Sequence, residues 1–341
     1  MKKTLPYLVG IFLIVLFLFL RFYHIKDSLF FFNDMGRDLL ALLDMIQNHK
    51  PVLLGPQSSA LPINQSPLYY YLLLPFYLIF DKSFLTANLT LAFVYLSLFL
   101  FNLYQYHTNK IFLKLIFISF FLLSIHPQYI LQGRFVWNPS LVTPFLITAI
   151  LSFYQLLQKY NLKQLLISTI SFAIAVSFSY SIVPLVIAIL ILGLFVNRKI
   201  LSQYTAYFSA FLTIFNLSII AYEIRYFLRL GTIFPSNQIN QIGNTYLQKI
   251  NDFKNYVLAS GNPVIDNFLL LGLVVLIIFS LKSKNNLAKY LASLFTLTFL
   301  ITVLSPFNLQ AHYIFALTSI IFLLIGSLNL KFSLPIIFVL A

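Results

Sequence analysis

The chain contains no cysteine, which excludes a disulfide framework, a thiolate metal site and a cysteine nucleophile. Charge is almost as scarce: 9% of its 341 residues are Asp, Glu, Lys or Arg, and only eight are acidic. Glu223 is the sole glutamate and Trp137 the sole tryptophan. The five histidines show no paired metal-ligand spacing, and no HExxH, phosphate-cradling Walker loop or GxSxG elbow occurs. No metal centre is therefore expected, apart from a hard cation held between Asp34 and Asp38. Internal repeats and low-complexity linkers are also missing, so residues 1–341 read as one membrane domain.

What the chain has in abundance is apolar surface. It is 60% hydrophobic, with 38 Phe and 21 Tyr, and its mean hydropathy is +0.91. Apolar runs near the length of a bilayer crossing recur along it, which makes it an all-α polytopic membrane protein. The net charge of +14 does not signal nucleic acid, because Lys and Arg gather in short loops and report membrane sidedness instead. Lys2-Lys3 and a run from Leu5 to Leu20 precede Arg21-Phe22-Tyr23-His24, with no small-x-small cleavage site. An uncleaved first span with its N-terminus in the cytoplasm is expected.

The apolar segments lie at 5–21, 84–104, 111–126, 139–157, 164–178, 182–196, 203–221, 264–281, 287–304 and 313–329, with a last stretch at 332–341. About 10–11 transmembrane helices follow from them. Leu68–Phe80 is too short to cross a hydrocarbon core of about 30 Å, so it is read as interfacial or re-entrant. The cytoplasmic segments then hold Lys2, Lys3, Lys110, Lys114, Lys159, Lys163, Arg198, Lys199, Lys282, Lys284, Lys289 and Lys331 and no acid. Asp27, Asp34, Asp38, Asp44, Asp81, Glu223, Asp252 and Asp266 all fall on the other side. If Leu68–Phe80 spanned, the Arg198-Lys199 and Lys282–Lys289 clusters would face outward, against the positive-inside rule. The layout is a first span (5–21), an outer loop (22–83), six further spans (84–221), a second large outer loop (222–263) and C-terminal spans (264–341).

The first outer loop is the most informative segment. Asn33 or Asp34 is placed to cap a helix running to about Gln47. On a helical wheel Leu39, Leu42, Leu43 and Ile46 share one side and Asp34, Arg37, Asp38 and Asp44 the other, the pattern of a helix lying in the membrane interface. Asp34 and Asp38, at i and i+4, converge on whatever lies between them. A cap at Asp34 and an ion pair between Arg37 and Asp38 explain the same residues without a function. Beyond Pro51, Gly55-Pro56 and Pro62 the chain returns to the membrane through Ser66-Pro67-Leu68-Tyr69-Tyr70-Tyr71. Its tyrosines suit either an interfacial aromatic belt or substrate contact.

Three further groups sit at the outer ends of spans. Gly133-Arg134-Phe135-Val136-Trp137-Asn138 sets an arginine, able to grip a phosphate, beside an aromatic anchor. Glu223 and Arg225 end the seventh span, as a functional pair or a structural one. His312-Tyr313 opens the last, as a hydrogen-bonding site or interfacial filler.

The first span, an Asp at the start of an interfacial outer helix, and a Pro-Leu-Tyr-Tyr leading back into the membrane resemble the GT-C superfamily of membrane glycosyltransferases. Within it the nearest branch is the protein O-mannosyltransferase and aminoarabinose-transferase clan (glycosyltransferase family 39-like). The seven spans before the second outer loop match that clan's shared module. The resemblance implies a polyprenyl-phosphate-linked sugar donor, a protein, lipid or glycan acceptor, transfer on the extracytoplasmic face of the plasma membrane, and no cofactor. It puts Asp34, with Asp38 beside it, in the catalytic role and Arg134, Arg225, Arg37 and His312 around the donor phosphate. Tyr69, Tyr70, Trp137, Asn138, Glu223 and Tyr313 are the matching substrate-binding candidates. The chain departs from the clan in having Asn33-Asp34-Met35 where an Asp-Glu pair is common. It also has Gln65-Ser66-Pro67-Leu68 where Lys-Pro-Pro-Leu is common, so another cation has to serve the phosphate. The competing readings are a lipid-linked polysaccharide polymerase, a flippase or transporter, and a structural scaffold. The acid-led first loop and the lack of mid-span charge speak against them.

Overall fold

The computed structural model describes residues 5–29, 31–57, 64–227, 246–258, 262–306, 312 and 314–328. Sixteen α-helices occur among them, in the order α1 (Leu5–Phe22), α2 (Ile25–Ser28), α3 (Asn33–Asn48), α4 (Leu68–Ile79), α5 (Phe84–Tyr106), α6 (Lys110–Ile125), α7 (Pro127–Gln132) and α8 (Val142–Gln158). There follow α9 (Leu162–Phe178), α10 (Val183–Val196), α11 (Arg198–Phe215), α12 (Leu217–Phe227), α13 (Tyr246–Phe253), α14 (Pro263–Lys282), α15 (Asn286–Leu304) and α16 (Ile314–Ser327). No strand is present among the described residues. A lone antiparallel bridge between Gln57 and Asn64 closes the neck of the first outer loop.

Each of the ten apolar segments from 5–21 to 313–329 falls on helix, the seventh (203–221) on two helices, α11 and α12. By length and composition α5, the 3-10 turn Asn138–Leu141 with α8, α14 and α15 can each cross a membrane, and α11 with α12 makes a fifth if the bent pair is one span. Shorter apolar helices stand at Tyr7–Phe22, Leu68–Ile79, Leu162–Phe178, Tyr180–Val196 and Ile314–Ser327. The chain is an integral, all-helical membrane protein. The stretch 332–341 lies outside the described residues.

Asparagine starts many of these helices. Asn109, Asn161, Asn197, Asn262 and Asn285 each accept backbone N–H groups of the turn that follows, which satisfies donors that have no partner within the helix. Lys110, Lys163 and Arg198-Lys199 stand one or two residues after three of these caps, at the positive end of the helix dipole. Cations there cost about 0.3–1 kcal/mol each.

The interior is aliphatic and aromatic, and α16 is buried on all sides, packed among α6, α8 and α15. α14 is the opposite case, with Phe268, Leu271, Val275 and Phe279 exposed to the surroundings of the bundle. Hydroxyls inside the spans return to their own helices: Thr90, Thr148, Thr169, Ser177, Thr298 and Thr318 each donate to a carbonyl one turn back. The bundle ends are stitched separately. At one end Lys114 Nζ reaches the Leu328 carbonyl and Asn285 Nδ2 that of Ser327 at 3.1 Å. At the other, His126 Nε2 donates to the Val257 carbonyl at 2.8 Å and Lys249 Nζ to that of Val303 at 3.1 Å.

Two expectations are corrected. The seventh segment is not one straight span, because it breaks by 70° at Asn216 between α11 and α12. Nor does Asn33 or Asp34 cap α3: Phe32 holds the N-cap position and no side chain closes that end.

Gly55 is where the neck of the outer loop closes. Its N–H donates to the Gln65 carbonyl at 2.9 Å, and Gln65 N–H donates to Pro56 O at 2.8 Å. A β-carbon on Gly55 would run into the backbone carbonyls of Gln65 and Ser66. Gly55→Ala is expected to cost about 1–3 kcal/mol through this overlap. Gly272→Ala, on α14 with nothing near, should gain about 0.5–1 kcal/mol. Thermal unfolding of the two purified variants checks this, and equal shifts would contradict the strain assigned to Gly55.

Candidate active site

The α3 helix turns Met35, Asp38, Leu42 and Met45 into the protein, at spacings of three and four that form one stripe. The face expected toward water therefore does not hold together. Asp38 lies on the buried stripe and Leu40 is exposed, because the helix packs against α4 rather than lying alone on lipid. Charged side chains on the rest of the turn make up the site. Arg37 Nε and Nη2 donate to Asp38 Oδ1 at 2.9 and 2.8 Å, while Arg37 Nη1 donates to Asp34 Oδ1 at 2.7 Å. The Tyr70 hydroxyl, from the first turn of α4, donates to the same Asp38 oxygen at 2.9 Å. The two carboxylates thus converge on a guanidinium, which occupies the place a bound cation would need.

The two acids differ in access. The Asp34 side chain is 28% exposed and that of Asp38 4%. Asp38 Oδ2 is buried with no hydrogen-bond partner among the described residues. Burial outweighs the neighbouring Arg37 and pushes the Asp38 carboxyl up to about 6 from its ordinary 3.8. With a folded value above the unfolded one, the stability this group contributes is full below about pH 4 and is lost as pH rises through about 6, about 3 kcal/mol in all. The melting temperature of the wild type should fall relative to that of Asp38→Asn between pH 4 and 6.5. Parallel curves for the two proteins would contradict this.

The remaining candidates surround the start of α4. Tyr69 is buried and donates to the Val136 carbonyl at 3.4 Å, so it and Tyr70 bind the loop and the acid cluster together from within. In the loop, Trp137 Nε1 donates to Gln132 Oε1 at 2.7 Å, and Ser140 Oγ donates to the same oxygen at 3.0 Å. His312 meets the Trp137 ring edge-on at 5.1 Å between centroids. Burial lowers its pKa to about 4, so the imidazole is neutral. Asn138 Nδ2 donates to the Phe178 carbonyl at 2.5 Å and to Gln65 Oε1, which joins this loop to the neck of the first one. Arg134 is half-buried, and among the described residues it is held by one 3.5 Å bond from Nη2 to the Tyr23 carbonyl. Tyr313 lies outside the described residues, as does the stretch 234–238 of the second outer loop.

Beside this cluster runs a groove of about 730 Å³ between the start of α4 and the α11–α12 bend. Leu53, Leu68, Phe215 and Leu217 give it apolar walls, and Tyr71, Tyr222 and Arg225 add polar groups. Tyr70 and Tyr71 point to the two sides of α4: one bonds Asp38, the other lines the groove and donates to the Val52 carbonyl at 2.9 Å. The ion pairs among the described residues do not include a Glu223–Arg225 pair.

Two features escaped the sequence reading. Arg21 is fully buried and donates to the Ser124 and Leu123 carbonyls at 3.2 and 3.0 Å, beneath the Arg134 loop. A signal for it existed, since an arginine at the outer end of a first span runs against the positive-inside rule. The other is Ser66, the residue just before Pro67 and α4. It is buried here, and its hydroxyl bonds the Phe215 carbonyl at 2.6 Å.

Residues 64–222 match the family model described as dolichyl-phosphate-mannose-protein mannosyltransferase. No curated protein and no solved structure matches the chain. The matched segment takes in α4, the Arg134–Asn138 loop, the bend at Asn216 and most of the groove, while Asp34, Arg37 and Asp38 precede it. The resemblance to the protein O-mannosyltransferase clan is thereby borne out over residues 64–222.

Proposed function

We propose that this chain, with residues 64–222 of the dolichyl-phosphate-mannose-protein mannosyltransferase type, moves a sugar from a polyprenyl-phosphate donor to an acceptor hydroxyl outside the cytoplasm. The observation that carries this reading is the juxtaposition at α4: a reachable carboxylate on one side and an apolar groove with an arginine on the other. The groove's dimensions and walls suit an isoprenoid chain, and Arg225 suits the phosphate at its head. Arg134, held by one long bond, is the second cation; Arg37 is committed to the two acids and serves to orient them.

Asp34 acts as the base. The acceptor oxygen forms its bond to the anomeric carbon as the carbon–oxygen bond to the phosphate breaks, the acceptor's proton passes to Asp34, and polyprenyl phosphate leaves with the electron pair. A phosphate leaving group needs cationic stabilisation more than a general acid, which one or two arginines provide. Asp38, buried and fixed by Arg37 and Tyr70, holds that arginine against Asp34. Trp137, Asn138, Glu223 and the neutral His312 border the acceptor side. No cofactor enters this scheme. The acid-free loops with Asn-capped, Lys-bearing helix starts support a cytoplasmic N-terminus and a site facing outward across the plasma membrane.

Single displacement inverts the sugar. The purified protein in lipid, given a polyprenyl-phosphate sugar of known anomeric configuration, should release polyprenyl phosphate and a product of opposite configuration. A product of retained configuration would sink the single-base scheme.

A further inference from the structure

The break between α11 and α12 is built into a three-way joint. At such a bend the last carbonyls of the first helix lose their partners one turn ahead and need others. The Phe215 carbonyl receives the Ser66 hydroxyl at 2.6 Å. Ser66 N–H donates to the Ser177 carbonyl at 3.3 Å, at the end of α9. Asn216 Nδ2 closes the triangle by donating to Ser177 Oγ at 2.9 Å and to the Leu212 carbonyl at 2.8 Å. Ser66 and Ser177 are wholly buried and Asn216 nearly so. These contacts span the neck of the first outer loop, the tip of α9 and the bend, which are about 40 to 150 residues apart in the chain. Both walls of the groove start from this point: Pro67 and Leu68 follow Ser66 directly, and Leu217 and Ser218 follow Asn216.

We infer that Ser66, Ser177 and Asn216 are positioning residues that fix α12 at its 70° angle and so set the width of the groove and the place of Arg225 on its rim. None of the three meets a ligand in the groove; they act through the backbone at Phe215 and the direction of α12. A helix continuing straight through 216 would carry Ser218, Ala221, Tyr222 and Arg225 away from Leu53, Leu68 and Tyr71. The identity of the groove's occupant rests on the donor reading given above, whereas the joint itself does not depend on it.

Because the chain has no cysteine, paired labels can be placed on it without background. Nitroxides at Leu53→Cys and Ala221→Cys report on the two walls, and a second pair at Leu100→Cys and Leu300→Cys, on α5 and α15, reports on the bundle. In otherwise wild-type protein both distance distributions should be narrow. Ser66→Ala and Asn216→Ala should each broaden the groove pair and leave the bundle pair as it was. In the same variants, binding of polyprenyl phosphate should weaken by about tenfold, roughly 1.4 kcal/mol. An unchanged groove pair overturns the joint. So does broadening of both pairs together, since the bonds would then serve the bundle at large. Broadening confined to the groove, with polyprenyl phosphate bound as tightly as before, upholds the joint and sinks the donor reading of the groove.

Discussion

Asp34→Asn is expected to lower sugar transfer by about 10²–10⁴-fold while the protein folds and binds its donor lipid as before. The substitution keeps the shape of the side chain. An amide oxygen at the Oδ1 position still accepts from Arg37 Nη1, now 2.7 Å away, so the Arg37–Asp38–Tyr70 cluster keeps its geometry. What disappears is an anionic oxygen able to take the acceptor's proton. Asp44→Asn makes a fair control on the same helix, since Asp44 is exposed and accepts along the surface from Asn48 Nδ2 at 2.5 Å. Transfer by Asp34→Asn within about tenfold of wild type would remove Asp34 from the role of base, and Asp38, too buried to meet an acceptor, would not replace it.

Arg21→Ala should cost about 3–5 kcal/mol of stability. The side chain is 2% exposed, its guanidinium lies 3.8 Å from the centre of the Phe17 ring, and its stem packs against Gly133. Its two bonds go to the last carbonyls of α6, where a cation also complements the helix dipole. Truncation opens a cavity beside Phe17 and Tyr95 and leaves those carbonyls bare at once. Arg21→Met refills most of the volume without the donors, so it should recover part of the loss. Thermal unfolding of both variants decides the matter. A shift for Arg21→Ala equivalent to less than about 1 kcal/mol would mean that the buried arginine is dispensable to the fold.

The helices were legible because a membrane chain must satisfy its backbone within each segment, and so long apolar runs report helices almost directly. The short Leu68–Ile79 helix was legible for the same reason, through its length. Asp38 was misjudged for a different one. A helical wheel separates charged from apolar residues but cannot show that α4 supplies a hydroxyl, at Tyr70, and a neighbouring arginine that together admit a carboxylate to the packed side. The bend at Asn216 was hidden because Leu212–Tyr222 is apolar apart from Thr213, Asn216 and Ser218 and reads as part of one span, and its stabilising partners, Ser66 and Ser177, are remote in the chain. Arg21 was passed over as a flanking charge, although its partners are backbone carbonyls that no side-chain pattern records. Within the site, the residue types and their neighbourhood were readable, while which acid is reachable and which arginine is already engaged are consequences of packing.

The central claim is best tested by the fate of the label when a panel of radiolabelled polyprenyl-phosphate sugars is added, with candidate acceptors, to the protein reconstituted in vesicles. Substrates would be supplied at the face that carries Asp34. The account requires label to leave the lipid for an acceptor with at least one donor, and wild type to do this while Asp34→Asn does not. Retention of label on every lipid, with folded protein and polyprenyl phosphate bound in the groove, would contradict it and leave a protein that holds a lipid-linked glycan without transferring it.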